Sequence, residues 1–254
     1  MITRTRPRTK PAGSPPGDAG GRLRVLGGLA GITGPVAFTA AWAVSSLLQT
    51  GHAATEVQIS GLAAPDARDP WIMITGFLVL GGCSAVFGTA LHRELGESKR
   101  EEREGRQERA GREGREGREG RAGAGPRLIQ AAGLLTVAAG LLRRDQMLLT
   151  APAHESWHNH AHDVVSAVIY VALVAAPLLL ARRFRGDPRW SVLRWPLVGA
   201  SLVTAAVLIV FFTGAFSSWA GLLQRIGVSV PLAALCAVAA RLLTAGREPQ
   251  PGRS

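Results

Sequence analysis

The sequence predicts an all-α integral membrane protein: a bundle of six transmembrane helices with both termini in the cytoplasm. Hydrophobic residues make up 47% of the 254 residues and are concentrated in long runs. Six of these runs approach the roughly 20 apolar residues that a helix needs to cross a bilayer. The charged residues lie between the runs and mostly on one side, which fixes the orientation. The predicted spans are Leu26–Leu48, Pro70–Leu91, Leu128–Leu142, Val164–Ala181, Pro196–Phe216 and Ile226–Leu243.

The third span is the shortest, and the distribution of basic residues argues for it. With the N-terminus inside and six crossings, all but four of the 29 Lys and Arg residues lie on the cytoplasmic side. Without the third span, the five Arg residues at 182–194 would lie outside, against the positive-inside rule. Six crossings therefore fit better than five. The four basic residues left on the outer side are Arg68, Arg143, Arg144 and Arg225.

Three segments outside the spans have the composition of disordered chain. Residues 1–24 are rich in Pro, Gly and Arg and predict a disordered basic tail, and 244–254 predict a second tail. Because an apolar run of spanning length follows the first tail, we expect an uncleaved first helix rather than a signal peptide. Residues 93–126 contain a Gly-Arg-Glu repeat with nearly balanced charges, which predicts a solvated cytoplasmic loop. The six-helix membrane domain thus covers 25–243.

Composition also excludes several classes of protein. Cys83 and Cys236 both lie inside apolar runs, so neither a disulfide scaffold nor a Cys-rich zinc module is expected. A single Tyr and 6% aromatic residues argue against a nucleic-acid reader built on base stacking. The partner that the net charge of +11 predicts is therefore the lipid bilayer. Arg-rich, Ala-rich and Gly-rich composition is consistent with a GC-rich bacterial genome, and hence with the bacterial plasma membrane.

Histidines are the first candidate site residues. Four of the six lie within nine positions, ahead of the fourth span: His154, His158, His160 and His162. If the fourth helix begins near Ser156, His158 and His162 share one face of its first turns, a spacing that lets two imidazoles reach one zinc ion. Asp145 would supply a third ligand or orient a His. The alternative is that Ser156 or Asn159 caps the helix and the imidazoles only form hydrogen bonds.

Two further outer-face residues are candidates for binding or catalysis. Ser60 lies in the first outer connection, where a lone Ser is most often an ordinary loop residue. Arg225 is the only charge at the start of the sixth span. It either reaches the interface or faces inward to hold a carboxylate or phosphate, and Asp145 is its expected internal partner.

Short motifs around these residues resemble the bacterial membrane proteins grouped as domain of unknown function 998, especially actinobacterial members. The similar segments cover nearly the whole membrane domain, in the same order. They are Ile59-Ser60-Gly61-Leu62, Trp71-Ile72-Met73, Arg144-Asp145, Ser156-Trp157-His158 with His162, and Gly221 to Arg225. Position 61 is Gly where the family tends to have Asp, and position 159 is Asn instead of Gly. The resemblance implies a six-helix membrane domain and one outward-facing polar group of residues, but no activity.

Two functions remain open at this point. In the first, the polar residues tie the helices together, or bind or sense a lipid or its headgroup, without catalysis. In the second, the chain is a metal-dependent hydrolase acting on a lipid at the outer leaflet, an arrangement similar to that of ceramidase-like membrane hydrolases. Asp145, His158 and His162 would then bind the metal, Ser60 would assist the water, and Arg225 would hold the substrate. A transporter is a weaker third option, because no internal repeat is evident.

Overall fold

The computed structural model describes residues 18–51, 53–107, 123–145 and 155–244. Every regular element in these ranges is helical, with six α-helices and four short 3-10 turns. The α-helices are α1 Asp18–Leu48, α2 Pro70–Gln107, α3 Ala124–Leu141, α4 Trp157–Arg183, α5 Arg194–Thr213 and α6 Ala220–Thr244. The prediction of an all-α bundle is confirmed.

Consecutive helices pack against each other, and α1 also packs against α6, so the six helices form a closed ring. Neighbouring helices in the ring run antiparallel, as in up-and-down helix bundles. We call the end where α1, α3 and α5 finish the upper end, and the opposite end the lower end. The predicted site residues follow α1 and α3 or begin α4 and α6, so this topology brings them to the upper end.

Among the residues described, five helices are long and apolar enough to cross a membrane, and α3 is the exception. Large apolar side chains cover their outer faces, for example Val36, Val171 and Ile209, all more than half exposed. Such a surface is typical of helices that face lipid rather than water. Helix α3 is 18 residues long and has Arg127 and Gln130 near its start. The count of six crossings therefore depends on α3.

Two helices extend beyond the predicted boundaries. Helix α1 begins at Asp18, so residues 18–24, predicted as part of the tail, are helical. Helix α2 continues to Gln107, so the first part of the predicted 93–126 loop is helical too. For α2 the reason is local, because Glu, Arg and Lys are strong helix formers and make up most of residues 97–107. Most of the Gly-Arg-Glu repeat, His154 and residues 1–17 and 245–254 lie outside the described residues.

The lower end is closed by a tightly packed aromatic pair. Phe184 and Trp190, in the connection between α4 and α5, stack with ring centroids 4.9 Å apart, and both are fully buried. Arg241 of α6 donates from Nε to the carbonyl of Arg189 at 2.7 Å, which ties this connection to the last helix. Leu180, Leu197 and Leu242 complete the packing, each with 1% exposure or less.

Helices α2 and α3 approach each other at two glycines. A Cβ atom added to Gly81 would lie 2.5 Å from the carbonyl oxygen of Gly133, and one added to Gly133 would lie 2.6 Å from that of Gly81. Any larger side chain at either position would push the helices apart. This close approach fixes the position of α3, whose inner face forms one wall of the candidate site.

Candidate functional site

All five predicted site residues lie at the upper end of the bundle, on two connections and two helix starts. They are Ser60 in the 3-10 turn Ile59–Ala63, Asp145 just after α3, His158 and His162 on the first turns of α4, and Arg225 near the start of α6.

Asp145 anchors the start of α4. Its carboxylate accepts two hydrogen bonds of 2.7 Å from Ser156, one from the backbone N–H and one from the hydroxyl. The Ser156 hydroxyl in turn accepts a bond from the backbone N–H of Asn159, so Ser156 caps the helix as expected. These bonds favour the ionised carboxylate and lower the pKa of Asp145, with smaller contributions from His158 and Arg144. Asp145 therefore holds the helix start in place.

The two histidines of α4 have different surroundings. His158 is exposed, and its ring lies against that of Trp157 with centroids 3.8 Å apart. His162 is buried, with 3% exposure. Within the described ranges no three His, Cys, Asp or Glu side chains converge as a metal site would require. A zinc ion held by Asp145, His158 and His162 stays a prediction that this geometry does not support.

His162 is oriented by the end of α3. Its Nδ1 lies 3.0 Å from the carbonyl oxygen of Ala139 and 2.7 Å from that of Leu142. Carbonyl oxygens only accept hydrogen bonds, so Nδ1 carries a proton. In the neutral ring, Nε2 therefore has a lone pair and accepts hydrogen bonds. No described residue donates to this nitrogen.

Arg144 connects α3, α4 and the first connection. Its Nε donates to the side chain of Asn159 at 3.2 Å and its Nη1 to that of Gln58 at 2.9 Å. Its Nη2 lies 3.1 Å from a carboxylate oxygen of Asp163, which is 46% exposed. The half-exposed ion pair contributes little by itself, but the three bonds fix three segments relative to one another.

Arg225 does not pair with Asp145, contrary to the expectation from sequence. It is 6% exposed, and its Nη1 donates to the carbonyl oxygens of Ala54, Val57 and Gly221 at 2.7–2.9 Å. Its Nη2 donates to the Ser46 hydroxyl at 2.8 Å. The physical reason is that the carbonyls of Ala54 and Val57 have no backbone donor among the described residues, and a guanidinium satisfies both at once. Arg225 thus holds the first connection onto α1 and α6.

Gln224 links the 3-10 turn that contains Ser60 to α4. Its side-chain oxygen accepts a bond from the backbone N–H of Ile59, and its amide nitrogen donates to the hydroxyl of Tyr170, both at 2.5 Å. Ser60 is 5% exposed, and its hydroxyl makes no hydrogen bond with any described residue. The Tyr170 hydroxyl accepts from Gln224, and its own proton has no acceptor in the described part of the chain.

Some of these side chains line a cavity of about 80 Å³ inside the helix ring. Its polar lining includes Ser60, His162, Ser166, Tyr170 and Gln224. Most of the remaining lining is apolar and lies deeper in the bundle. Examples are Leu80 of α2, Ile129 and Ala132 of α3, Ala176 of α4 and Leu235 of α6. The cavity therefore has a polar upper part and a mainly apolar lower part, in which Ser84 and Thr136 are also polar.

Comparison with known proteins identifies the family. The family described as "Protein of unknown function (DUF998)" matches residues 32–107 and 110–241. The chain belongs to the DUF998 family. The resemblance seen in the short motifs is thereby confirmed, while the assignment to the actinobacterial type stays a prediction. No curated protein and no solved structure matches the chain.

Three residues of this DUF998 member have larger structural roles than sequence reasoning gave them: Arg144, Tyr170 and Gln224. Arg144 and Gln224 lie inside the family motifs, next to residues that were singled out for their chemistry. Tyr170 is the only Tyr of the chain and lies in the middle of an apolar run. Since a buried Tyr hydroxyl usually finds a hydrogen-bond partner, a lone Tyr in a span was a usable signal.

Proposed function

We propose that this DUF998 member is a multi-pass membrane protein that binds one apolar chain of a lipid or another amphiphile in the cavity inside its helix ring, without catalysis. The observation that carries the proposal is the cavity itself, apolar over most of its lining and polar at its upper part. Ligand sites in proteins commonly combine such an apolar wall with a few polar groups.

The dimensions of the cavity support a single chain. On α4 its lining runs from His162 to Ala176, which corresponds to roughly 20 Å of helix. A volume of about 80 Å³ spread over that length makes a narrow channel. A ring system or a branched ligand needs greater width, whereas one extended hydrocarbon chain needs only length.

The non-catalytic function follows from how the candidate catalytic groups are used. Both bonds to the Asp145 carboxylate come from Ser156, and the terminal nitrogens of Arg225 donate to protein oxygens. His158 is exposed and lies outside the cavity lining. These groups stabilise the walls of the site, and the polar side chains of its upper part that are left to contact a ligand are Ser60, His162, Ser166 and Tyr170.

We also propose six crossings of the bacterial plasma membrane with both termini in the cytoplasm. The sixth crossing is supported by the packing of α3 between α2 and α4, which places α3 in the same ring as the five longer helices. The lower end then carries nearly all basic residues, as the positive-inside rule requires. Ser217→Cys and Ser191→Cys, each in a Cys83→Ala/Cys236→Ala background, test this in intact cells. We expect an impermeant maleimide to label position 217 but not 191, and the reverse pattern would overturn the proposed orientation.

Native mass spectrometry of the full chain released from phosphatidylcholine nanodiscs tests ligand binding. The probe is dodecanol, and the variants are Ala132→Phe, which fills the apolar part of the cavity, and Leu134→Phe, which adds the same ring to the 60% exposed outer face of α3. We expect one retained dodecanol in the wild type and in Leu134→Phe, and none in Ala132→Phe when its thermal midpoint is unchanged. Equal retention by the three proteins would contradict the proposal, as would no retention by the wild type.

A further inference from the structure

We infer that the cavity selects an uncharged amphiphile whose polar end carries a hydroxyl group, such as a long-chain alcohol or a monoacylglycerol. This inference rests on the proposed function, because it concerns the polar end of the same ligand. It follows from which hydrogen-bonding groups remain uncommitted in the cavity and from the lack of charge around them.

The uncommitted groups require both a donor and acceptors from the ligand. His162 has both its protein contacts at Nδ1, so Nε2 needs a donor from the ligand. The hydroxyls of Ser60, Ser166 and Tyr170 have protons with no acceptor among the described residues, so each needs an acceptor. A hydroxyl group on the ligand supplies one donor for His162 and two acceptor lone pairs for these hydroxyls. An ether or an ester supplies acceptors only and leaves His162 unpaired.

Charged ligands are disfavoured because their charge would find no counter-ion. No Asp, Glu, Lys or Arg is part of the cavity lining, as far as the chain is described. Two cations at the upper end are already bonded within the protein. Arg144 donates to Gln58, Asn159 and Asp163, and Arg225 donates to backbone carbonyls and the Ser46 hydroxyl. A carboxylate or phosphate would have to give up its water in a largely apolar cavity and would also face the lone pair of His162 Nε2.

The test is a competition among ligands of one chain length, measured by native mass spectrometry of the full protein from phosphatidylcholine nanodiscs. The equimolar probes are dodecanol, dodecyl methyl ether, dodecanoate and dodecyl phosphate. We expect dodecanol to be retained roughly tenfold more than the ether, the effect of one buried acceptor left unpaired. The two anions should be retained least.

Two variants separate the contribution of His162 from that of chain burial. His162→Phe removes the acceptor, so we expect the preference for alcohol over ether to fall to about one. His158→Phe makes the same change at an exposed position of α4 outside the cavity lining, and it should keep the wild-type preference. Equal retention of alcohol and ether by the wild type would overturn the hydroxyl inference while leaving chain binding intact. The same conclusion would follow if either anion were retained most. Retention of none of the four probes would refute both proposals.

Discussion

The two ends of the bundle are built from the same helices but are stabilised by different kinds of contact. At the lower end, Phe184 and Trp190 stack without exposed surface, and the neighbouring leucines leave little free space. At the upper end, Arg144, Gln224 and Arg225 hold the connections in place while a cavity remains between the helices. The difference shows that apolar packing closes one end and that polar bonds keep the other end open and ordered.

Removing the aromatic closure of the lower end should have the largest effect on stability. Trp190→Ala leaves a cavity beneath α4 and α5, and such changes cost about 3–5 kcal/mol. We expect the thermal midpoint of the detergent-purified protein to fall strongly, whereas Trp195→Ala, at a 67% exposed position nearby, should have little effect. A Trp190→Ala protein as stable as Trp195→Ala would mean that the lower end is not a packed core.

Removing the guanidinium at the upper end should have a smaller and more local effect. Arg225→Met leaves the carbonyls of Ala54 and Val57 without their donor, which we expect to cost about 3 kcal/mol. Hydrogen exchange should rise mainly in residues 53–63, with the lower end unchanged. Arg68→Met, an exposed change in the same connection, serves as the control. An equal rise in hydrogen exchange at both ends of Arg225→Met would show that the two ends are not independently stabilised.

The smallest effect concerns Asp145 and depends on pH. Because hydrogen bonds from Ser156 lower the pKa of Asp145 in the folded chain, its carboxylate stabilises the fold above about pH 4 and stops doing so as the pH falls further. Asp145→Asn should therefore lower the thermal midpoint at pH 7, and the difference from wild type should shrink toward pH 3.

A suitable control is Glu56→Gln, because Glu56 is exposed and its side chain has no hydrogen bond in the ranges described. It should show no comparable dependence on pH. A difference for Asp145→Asn that stays constant from pH 7 to pH 3 would exclude the carboxylate as the anchor of α4.

Periodicity and charge predicted most of this fold. Apolar runs located all six helices, and Ser156 marked the start of α4 because capping is a local property of the chain. Helix ends were less accurate, as at α1 and α2, because the predicted boundaries followed the change in hydropathy, and both helices continue beyond it. Helix α3 does not reach the length and hydropathy of the other five helices, since it has 18 residues and Arg127 and Gln130 lie near its start.

The candidate site was predictable in its location but not in its bonding. The positions of Ser60, His162 and Arg225 along the chain already implied the upper end. What Arg225 contacts depends on how the first connection turns its carbonyls inward, and that is a tertiary property. The same holds for the Nδ1 bonds of His162, because they depend on where α3 ends. A cavity is the space that packing leaves over, so no local pattern in the sequence reports it.

Under the proposed function, an apolar chain lies inside the ring and not on its outer surface. Photocrosslinking with dodecanol that carries a diazirine near its methyl end, followed by peptide mapping, tests this directly. We predict labelling of the inward residues Ala132, Ala176 and Leu235, competed by unlabelled dodecanol. Labelling confined to the lipid-facing residues Leu134, Val168 and Val171, without competition, would contradict the account.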